Sequence, residues 1–334
     1  MTKRILITGA GGFVGSYLIK ELKKDENNEI YGSVYQSTSD IKSLLATDHI
    51  LAGDLTRPDM AINHVKAANP DVIYHLAALS VVHNSTINAL APLQGNTAIS
   101  YNLFEAIHAY CPRARTLAVC SANVYGSVPA SNIPIDESAP LRPLNPYAVS
   151  KITQEMIALQ ASLSYGLDVV IVRPFNHSGP GQTADFVLPK LAQSVVAIEK
   201  ESKLPVLELG SGAAIRDFTD VRDMVKAYIL AAATGQSGEI YNIGSGTGTS
   251  IRAVAEIFAS LSKRHFKIVE KPELSRSSDV PVLVADTTKF KELTGYFPVI
   301  SLERTISDIL EYERNKSWQS VHLLPVLPGK TAHT

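Results

Sequence analysis

The sequence predicts an α/β fold in which a parallel sheet is covered by helices on both faces. Strand-like and helix-like segments alternate along the first two-thirds of the 334-residue chain. A glycine-rich turn joins the first strand, Lys3–Thr8, to the first helix, Gly12–Lys24. After about Asn176 the pattern changes to short strands mixed with helices. Repeated strand–helix–strand units require a parallel sheet, so the later part is predicted to be smaller and interleaved with the first.

Apolar spacing places the individual elements. The first helix carries Phe13, Tyr17, Leu18 and Leu22 at helical spacing,. The predicted strands of the first part are Lys3–Thr8, Glu29–Tyr35, His49–Ala52, Asp71–His75, Thr116–Cys120 and Asp168–Val172. Long helices are predicted over Leu93–Tyr110 and Pro146–Tyr165. In the later part the predicted elements are strands Val206–Leu209 and Glu239–Asn242 and helices near Val221–Ala233, Ile251–Ser262 and Leu302–Glu313.

Composition excludes several function classes. The formal net charge is -1 and charged residues make up 19%, so no global field would recruit nucleic acid or an anionic membrane. The two cysteines, Cys111 and Cys120, lack metal-ligand spacing and are predicted to be ordinary buried thiols. We therefore expect no metal site. The N-terminal apolar run is too short for a signal peptide, which makes a cytoplasmic location the default expectation.

The turn after the first strand carries Gly9, Gly12 and Gly15, a Gly-x-x-Gly-x-x-Gly pattern. Gly9 permits the tight turn, Gly12 lets backbone approach a pyrophosphate, and Gly15 allows close helix–strand packing. The helix N-terminus adds free N–H groups and a partial positive charge. In this strand–loop–helix context the pattern indicates a Rossmann-type, doubly wound sheet that binds a dinucleotide.

The second strand ends in Tyr35-Gln36, without the carboxylate that usually holds an adenosine ribose,. No arginine stands there either. The missing acid removes repulsion of a 2′-phosphate, so NADP(H) is slightly favoured over NAD(H). Asp54 follows the third strand and is placed to accept from an adenine amino group, although a turn or helix-cap role fits it equally well.

Tyr147 and Lys151 are four residues apart, and Pro146 suits the first position of their helix,. Both side chains therefore share one helix face. An ammonium near a phenol lowers the pKa of the phenol, which would make a proton donor or acceptor usable near neutral pH. Ser121, just after the strand Thr116–Cys120, is positioned to donate to a carbonyl oxygen.

The glycine turn, Ser121 and the Tyr147/Lys151 pair, in this order, resemble the extended short-chain dehydrogenases/reductases over roughly residues 3–314. Further marks are Gly53-Asp54-Leu55, His75-Leu76-Ala77-Ala78, Asn96 and Ser121–Gly126. The resemblance implies catalysis by Ser121, Tyr147 and Lys151 and formation of a homodimer. The cofactor-binding positions predicted with it are Gly9, Gly12, Phe13, Val14, Asp54, Leu55, Leu76, Ala77, Ala78, Asn96, Tyr147, Lys151, Pro174 and His177.

This resemblance divides the chain into three parts. Residues 1–175 correspond to an NAD(P)-binding Rossmann domain, to which some later segments return. Residues 176–316 correspond mainly to a substrate domain for a nucleotide-linked sugar. Residues 317–334 form a tail without periodicity.

Three later segments resemble the GDP-4-dehydro-6-deoxymannose reductases within this family: 173–182, 216–223 and 276–286. Guanidinium groups match diphosphate oxygens, so Arg216 and Arg276 are suited to a GDP-sugar. The predicted substrate-binding residues are Ser121, Asn123, Asn176, Lys190, Arg216 and Arg276. His177 is also consistent with a structural hydrogen-bonding role.

The positions beside Ser121 distinguish between related reactions. The 4,6-dehydratases of the family usually place a glutamate two positions after this serine, because removing a proton from carbon 5 needs a base. Here Ala122 and Asn123 stand instead. The expected reaction is therefore NAD(P)H-dependent reduction of a 4-keto group, with GDP-4-dehydro-6-deoxy-D-mannose giving GDP-D-rhamnose. A nucleotide-sugar 4-epimerase with retained NAD is the first alternative, followed by GDP-mannose 4,6-dehydratase and a non-catalytic cofactor-binding protein.

Overall fold

A computed structural model describes residues 2–36, 39–79, 90–274 and 280–321. Its largest feature is a parallel sheet of seven strands in the order β10-β6-β5-β4-β1-β2-β3. Every neighbouring pair in this sheet runs parallel. The strands are β1 (Lys3–Thr8), β2 (Asn28–Val34), β3 (Ile50–Ala52), β4 (Val72–His75), β5 (Arg115–Val119), β6 (Val169–Pro174) and β10 (Ile240–Ile243).

Helices cover both faces of this sheet because its strands are apolar on both sides. In β1, Leu6 faces one core, whereas Ile5 and Ile7 face the other, as alternation along a strand requires. The core around Leu6 includes side chains of α3 (Pro58–Ala68), α4 (Leu90–Tyr110) and α5 (Pro146–Tyr165). The core around Ile5 and Ile7 includes side chains of α1 (Phe13–Leu22), α2 (Ser39–Leu44), α7 (Val221–Thr234) and α9 (Thr288–Thr294).

The smaller part is built around β9 (Ile215–Asp220), which pairs with β7 (Asn176–Ser178), β11 (Gly248–Ser250) and β13 (Val282–Leu283). A separate parallel pair joins β8 (Val206–Leu209) to β12 (Lys267–Glu270). A third core lies among α6 (Val187–Glu199), α8 (Ile251–Leu261) and α10 (Leu302–Val321). This part therefore adds short strands and three amphipathic helices beside the main sheet.

The predicted α/β class and parallel sheet are confirmed, and most element bounds shift by one to three residues. The structure also shows how the chain interleaves. After β9 the chain returns to the main sheet, where α7 packs against α1 and β10 pairs with the edge strand β6. Helix α10 continues to Val321, beyond the predicted tail start at residue 317. Residues 322–334 lie outside the described residues.

Within the described ranges, no helix combines the length and hydropathy that a membrane crossing requires. Cys111 and Cys120 are both free and buried, as predicted. Burial raises the pKa of the Cys111 thiol to about 11 and that of Cys120 well above its ordinary value. Both thiols are therefore protonated at neutral pH.

Candidate active site

A cleft of about 570 Å³ opens at the carboxyl ends of the central strands, where α/β sheets bind ligands,. The glycine turn lies at one side and the residues after β5 and β6 lie at the other. The residues that line the cleft are Gly9, Gly11, Gly12, Phe13, Val14, Gly15, Val34, Tyr35, Gln36, Leu76, Ala78, Val119, Cys120, Ser121, Ala122, Asn123, Tyr147, Lys151, Pro174, Phe175, Asn176, His177, Gln182, Phe186, Tyr228 and Leu283.

The glycine turn has the geometry that a pyrophosphate requires. Gly9 has a positive φ of 72°, a conformation that favours glycine. A Cβ at Gly15 would come 2.6 Å from the Gly9 carbonyl oxygen and 2.8 Å from Ala10 Cα, so α1 starts in close contact with the turn. No side chain caps the N-terminus of α1. Its first N–H groups are therefore oriented to bind an anion, and the turn fits a dinucleotide.

The predicted cofactor positions divide into two groups. The first group lines the cleft together with the glycine turn and consists of Leu76, Ala78, Pro174 and His177. Ala77 instead packs its backbone against Gly9 and donates its N–H to Thr8 Oγ1 at 3.2 Å. The remaining predicted positions, Asp54, Leu55 and Asn96, do not line the cleft.

These three residues each contact other residues of the protein. Asp54 Oδ1 accepts from the backbone N and the hydroxyl of Thr56 at 2.9 and 2.8 Å, which is the turn role considered for it above. Leu55 is buried in the core beside α3 and α4. Asn96 accepts from Leu79 N at 2.7 Å and donates to Ser150 Oγ at 2.9 Å. A cofactor-binding role for these three residues stays a prediction.

The three predicted catalytic residues line one cleft. Ser121 lies two residues beyond β5 and begins a short 3-10 helix, where its Oγ accepts from Asn123 N at 3.2 Å. Asn145 caps α5 by accepting from Ala148 N at 2.8 Å. This cap and Pro146 place Tyr147 in the first turn of α5 and Lys151 one turn later, as the sequence predicts.

Tyr147 has a raised pKa, opposite to the prediction. Burial and the neighbouring Cys120 raise its pKa to about 12, and a hydrogen bond with Ser121 lowers it only in part. The Lys151 ammonium donates to the Val119 carbonyl at 2.6 Å and to Gln154 Oε1 at 2.8 Å. The predicted lowering of the phenol pKa by Lys151 is therefore wrong for this structure, because burial dominates and the ammonium is bound elsewhere.

The pKa of Lys151 is also shifted from its ordinary value. Its side chain is buried, and desolvation lowers its pKa to about 8, while Cys120 and Glu155 act in the opposite direction. A group with this pKa is mostly protonated at pH 7. The pair thus consists of a protonated phenol and a charged ammonium at neutral pH.

Two predicted substrate residues line the cleft together with Ser121: Asn123 and Asn176. The Oδ1 atom of Asn176 is buried and has no hydrogen-bond partner among the described residues, which suits contact with a bound ligand. His177 Nδ1 bonds the Phe175 carbonyl at 3.0 Å, and burial lowers the pKa of His177. A neutral ring at His177 is consistent with a role in cofactor binding and also with a structural hydrogen-bonding role.

Two of the predicted cationic residues, Lys190 and Arg216, are not among the described residues that line the cleft. Lys190 is exposed on α6, and Arg216 lies on β9, where it donates to the Ile215 carbonyl at 2.8 Å. Arg276 lies outside the described residues. A diphosphate site formed by these side chains stays a prediction.

Comparisons with known proteins agree with this geometry. A model of the GDP-mannose 4,6 dehydratase family matches residues 6–309. The chain belongs to this family. It is an extended short-chain dehydrogenase/reductase of the kind that modifies nucleotide-linked sugars, which confirms the predicted family.

Individual members of the family are similar over almost the whole chain. The GDP-6-deoxy-D-mannose reductase of Pseudomonas aeruginosa is 30% identical over 96% of this chain and 98% of that protein. The GDP-6-deoxy-D-talose 4-dehydrogenase of Aggregatibacter actinomycetemcomitans is 28% identical over 87% and 91%. The solved structure of RMD from Pseudomonas aeruginosa, complexed with NADPH, has a TM-score of 0.83 at 29% identity and covers 94% of this chain and 100% of its own.

An epimerase structure is equally similar in fold. The UDP-glucose 4-epimerase of Thermotoga maritima, solved with UDP-glucose, has a TM-score of 0.84 at 25% identity over 94% of this chain and 99% of its own. Backbone similarity therefore does not separate reductases from epimerases within this extended short-chain dehydrogenase/reductase family. That distinction depends on side chains in the cleft.

Several cleft residues of this family member were not predicted from the sequence. They are Gly11, Gly15, Val34, Tyr35, Gln36, Val119, Cys120, Ala122, Phe175, Gln182, Phe186, Tyr228 and Leu283. Gly15 belongs to the glycine pattern and Gly11 lies within the same turn, and Tyr35-Gln36 directly follows the end of β2. Tyr228 has no such local signal, because α7 reaches the cleft only when it packs back against α1.

Proposed function

We propose that this enzyme uses NADPH or NADH to reduce the 4-keto group of a GDP-linked 4-keto-6-deoxyhexose, GDP-4-dehydro-6-deoxy-D-mannose, to GDP-D-rhamnose. One observation carries the proposal. Ser121, Tyr147 and Lys151 line the same cleft, whereas none of the described residues that line it is Asp or Glu. The cleft thus contains groups that can transfer a proton to a carbonyl oxygen. Its described residues include no carboxylate that could remove the proton from carbon 5.

The cleft residues fit a nicotinamide dinucleotide. The glycine turn and the start of α1 would hold the pyrophosphate, and Tyr35 and Gln36 would lie beside the adenosine. The bound cofactor would supply the hydride. Neither Tyr35 nor Gln36 is charged, so this end of the cleft would not repel the 2′-phosphate of NADPH, and the relative RMD is complexed with NADPH.

The electrostatics of Tyr147 support the reductive direction. Reduction of a ketone consumes a proton, so the donor must be protonated at working pH. A phenol with a pKa near 12 meets this condition. In the proposed mechanism Tyr147 donates its proton to the sugar oxygen and Ser121 holds that oxygen by a hydrogen bond, and the Lys151 ammonium would hold the nicotinamide ribose of the cofactor.

Asn176 and Asn123 are proposed to contact the nucleotide-sugar. Asn176 contributes a buried oxygen without a protein partner, and Asn123 stands two positions after Ser121. Lys190, Arg216 and Arg276 are proposed to bind the diphosphate. The similarity to a GDP-6-deoxy-D-mannose reductase favours GDP as the nucleotide.

The decisive experiment supplies GDP-4-dehydro-6-deoxy-D-mannose with NADPH and, separately, with NADH. We expect one nicotinamide to be oxidised per sugar and a GDP-6-deoxyhexose to form, and NMR of the product assigns the configuration at carbon 4. Interconversion of GDP-hexoses without net oxidation would identify an epimerase instead. Conversion of GDP-mannose to a 4-keto-6-deoxy sugar would identify a dehydratase whose base is not a carboxylate among the described cleft residues.

A further inference from the structure

A chain of buried polar side chains leads away from Lys151 into the protein. Lys151 Nζ donates to Gln154 Oε1 at 2.8 Å, and Gln154 Nε2 donates to Ser100 Oγ at 2.7 Å. Ser100 Oγ lies 2.8 Å from His75 Nε2, and His75 Nδ1 lies 2.8 Å from Thr8 Oγ1. All five residues are at most 5% exposed. The chain therefore connects α5, α4, β4 and β1 to the residue just before the glycine turn.

The orientation of the Gln154 amide is determined by its partners. Its Nε2 donates to Ser100 and, at 3.3 Å, to the Ala77 carbonyl. Rotating the amide by 180° would place its oxygen against the Ala77 carbonyl and its N–H groups against the Lys151 ammonium. Both contacts would be repulsive. Gln154 therefore presents only an acceptor to Lys151.

The described hydrogen-bond partners of the Lys151 ammonium are neutral groups. Among the described residues, the ammonium contacts no carboxylate directly, and it donates to the Val119 carbonyl and to the Gln154 amide oxygen. The titratable groups that act on the pKa of Lys151 are the Cys120 thiol and the Glu155 carboxylate, which both raise it, whereas Lys151 itself lowers the pKa of His75. Glu155 is already paired with Arg173 at 2.6 Å, which weakens its effect on Lys151.

His75 does not supply a charge either. Burial and the nearby Lys151 lower the pKa of His75 to about 3, so its ring is neutral at physiological pH. A neutral ring has one donor and one acceptor nitrogen, which allows it to connect Ser100 to Thr8. The network thus supports Lys151 with oriented neutral dipoles rather than with a counter-ion.

We propose that Gln154 is a positioning residue that keeps the Lys151 ammonium charged and directed into the cleft, acting with Ser100, His75 and Thr8. Among the described residues, Lys151 donates two of its N–H groups to Val119 and Gln154, which leaves the third for a ligand in the cleft. Removing the Gln154 acceptor would leave a buried ammonium with one protein partner, which favours loss of its proton. This inference rests on the proposed catalytic role of Lys151.

The test measures the pKa of Lys151 directly in the protein without cofactor. Lysines are labelled with ¹³C at Cε, and the Lys151 resonance is assigned by its absence in Lys151→Met. We expect Gln154→Leu to lower the Lys151 pKa by about one unit and Gln154→Glu to raise it by about one unit or more. Gln160→Leu, an exposed glutamine on the same helix, should leave it unchanged.

Shifts of the Lys151 pKa in opposite directions in the two Gln154 variants would support the proposed role. A merely structural role would lower the melting temperature of both variants without moving the Lys151 pKa in opposite directions, and that result would overturn the proposal. In the NADPH-dependent reaction, the basic limb of the kcat/KM profile should move with the measured pKa. If the resonance shifts but the enzyme oxidises no NADPH with any 4-ketosugar nucleotide, the proposed function fails while the positioning role stands.

Discussion

At the scale of single residues, Tyr147 shows how its surroundings suit it to donate a proton. Burial favours the neutral phenol and raises its pKa to about 12, and the hydrogen bond with Ser121 lowers that pKa in part. The same hydrogen bond brings together two hydroxyl groups that can contact one carbonyl oxygen. Loss of the Tyr147 hydroxyl should therefore affect the chemical step and leave cofactor binding largely intact.

We expect Tyr147→Phe to lower turnover by a factor of about 100 or more, because general acid catalysis by the phenol is lost. Steady-state kinetics with NADPH and a 4-ketosugar nucleotide measure the effect, and fluorescence titration of NADPH should give a dissociation constant close to that of the wild type. Tyr101→Phe, at an exposed tyrosine on α4, serves as the matched control. Wild-type turnover in Tyr147→Phe would remove this residue from the mechanism.

Arg216 tests the proposed diphosphate site. We expect Arg216→Ala to weaken GDP binding by about 1.5–3 kcal/mol, because charged hydrogen bonds to the diphosphate are lost. Isothermal titration calorimetry with GDP measures the change, and the exposed Arg113→Ala provides the control. Unchanged GDP affinity in Arg216→Ala would place the diphosphate elsewhere.

At the scale of elements, the connection between β1 and α1 determines the shape of the cofactor half of the cleft. The turn is tight because Gly9 adopts a positive φ and packs against the Ala77 backbone. The helix can start beside the turn only because Gly15 has no side chain. Strand, turn and helix therefore act as one unit in forming the proposed anion site.

Gly15→Ala should disrupt this unit, because the new Cβ would lie 2.6 Å from the Gly9 carbonyl oxygen. We expect a loss of stability of about 1–3 kcal/mol from overpacking and at least about tenfold weaker NADPH binding. Thermal unfolding and NADPH titration check both effects. Gly166→Ala at the end of α5 is the control: its φ of 68° strains alanine, but no atom lies within 4 Å of the new Cβ. A normal NADPH affinity in Gly15→Ala would contradict the proposed anion site.

At the scale of the whole molecule, three histidines couple stability to pH: His64 and His75 are buried, and His177 is partly buried. Burial is the first cause of the lowered pKa of His64, His75 and His177. Each binds a proton more readily in the unfolded chain, where the ordinary pKa is about 6.5. The unfolded state therefore binds more protons below pH 6.5, and the contribution of these residues to stability is lost as the pH falls.

His75 should dominate this pH dependence, since its folded pKa is about 3. Between pH 7.5 and pH 5.0 we expect it to account for a loss of about 2 kcal/mol in the free energy of unfolding. Urea titrations of the wild type and His75→Gln measure the difference: the variant is less stable at pH 7.5 but loses about 2 kcal/mol less on acidification. The exposed His265→Gln should retain the wild-type dependence of stability on pH. An equal loss of unfolding free energy on acidification in His75→Gln and the wild type would show that His75 does not cause this dependence.

Local patterns predicted much of the fold and part of the candidate site. The helix Pro146–Tyr165 was predicted to the residue because Asn145, Pro146 and Gly166 mark its ends in the sequence. The strand β10 was predicted within one residue, but its place at the edge of the main sheet was not, because pairing between β10 and β6 involves residues about 70 positions apart. Homodimer formation stays a prediction.

The sequence by itself determined the parallel α/β class, the glycine turn, and the presence of Ser121, Tyr147 and Lys151, because these depend on residue types at short spacing. The tertiary structure alone decided the protonation states of these residues and their partners. The Lys151 ammonium binds Val119 and Gln154, and Tyr147 is neutral because burial outweighs neighbouring charges. Desolvation and hydrogen-bond direction depend on the packing of elements distant in the chain, and no local spacing encodes them.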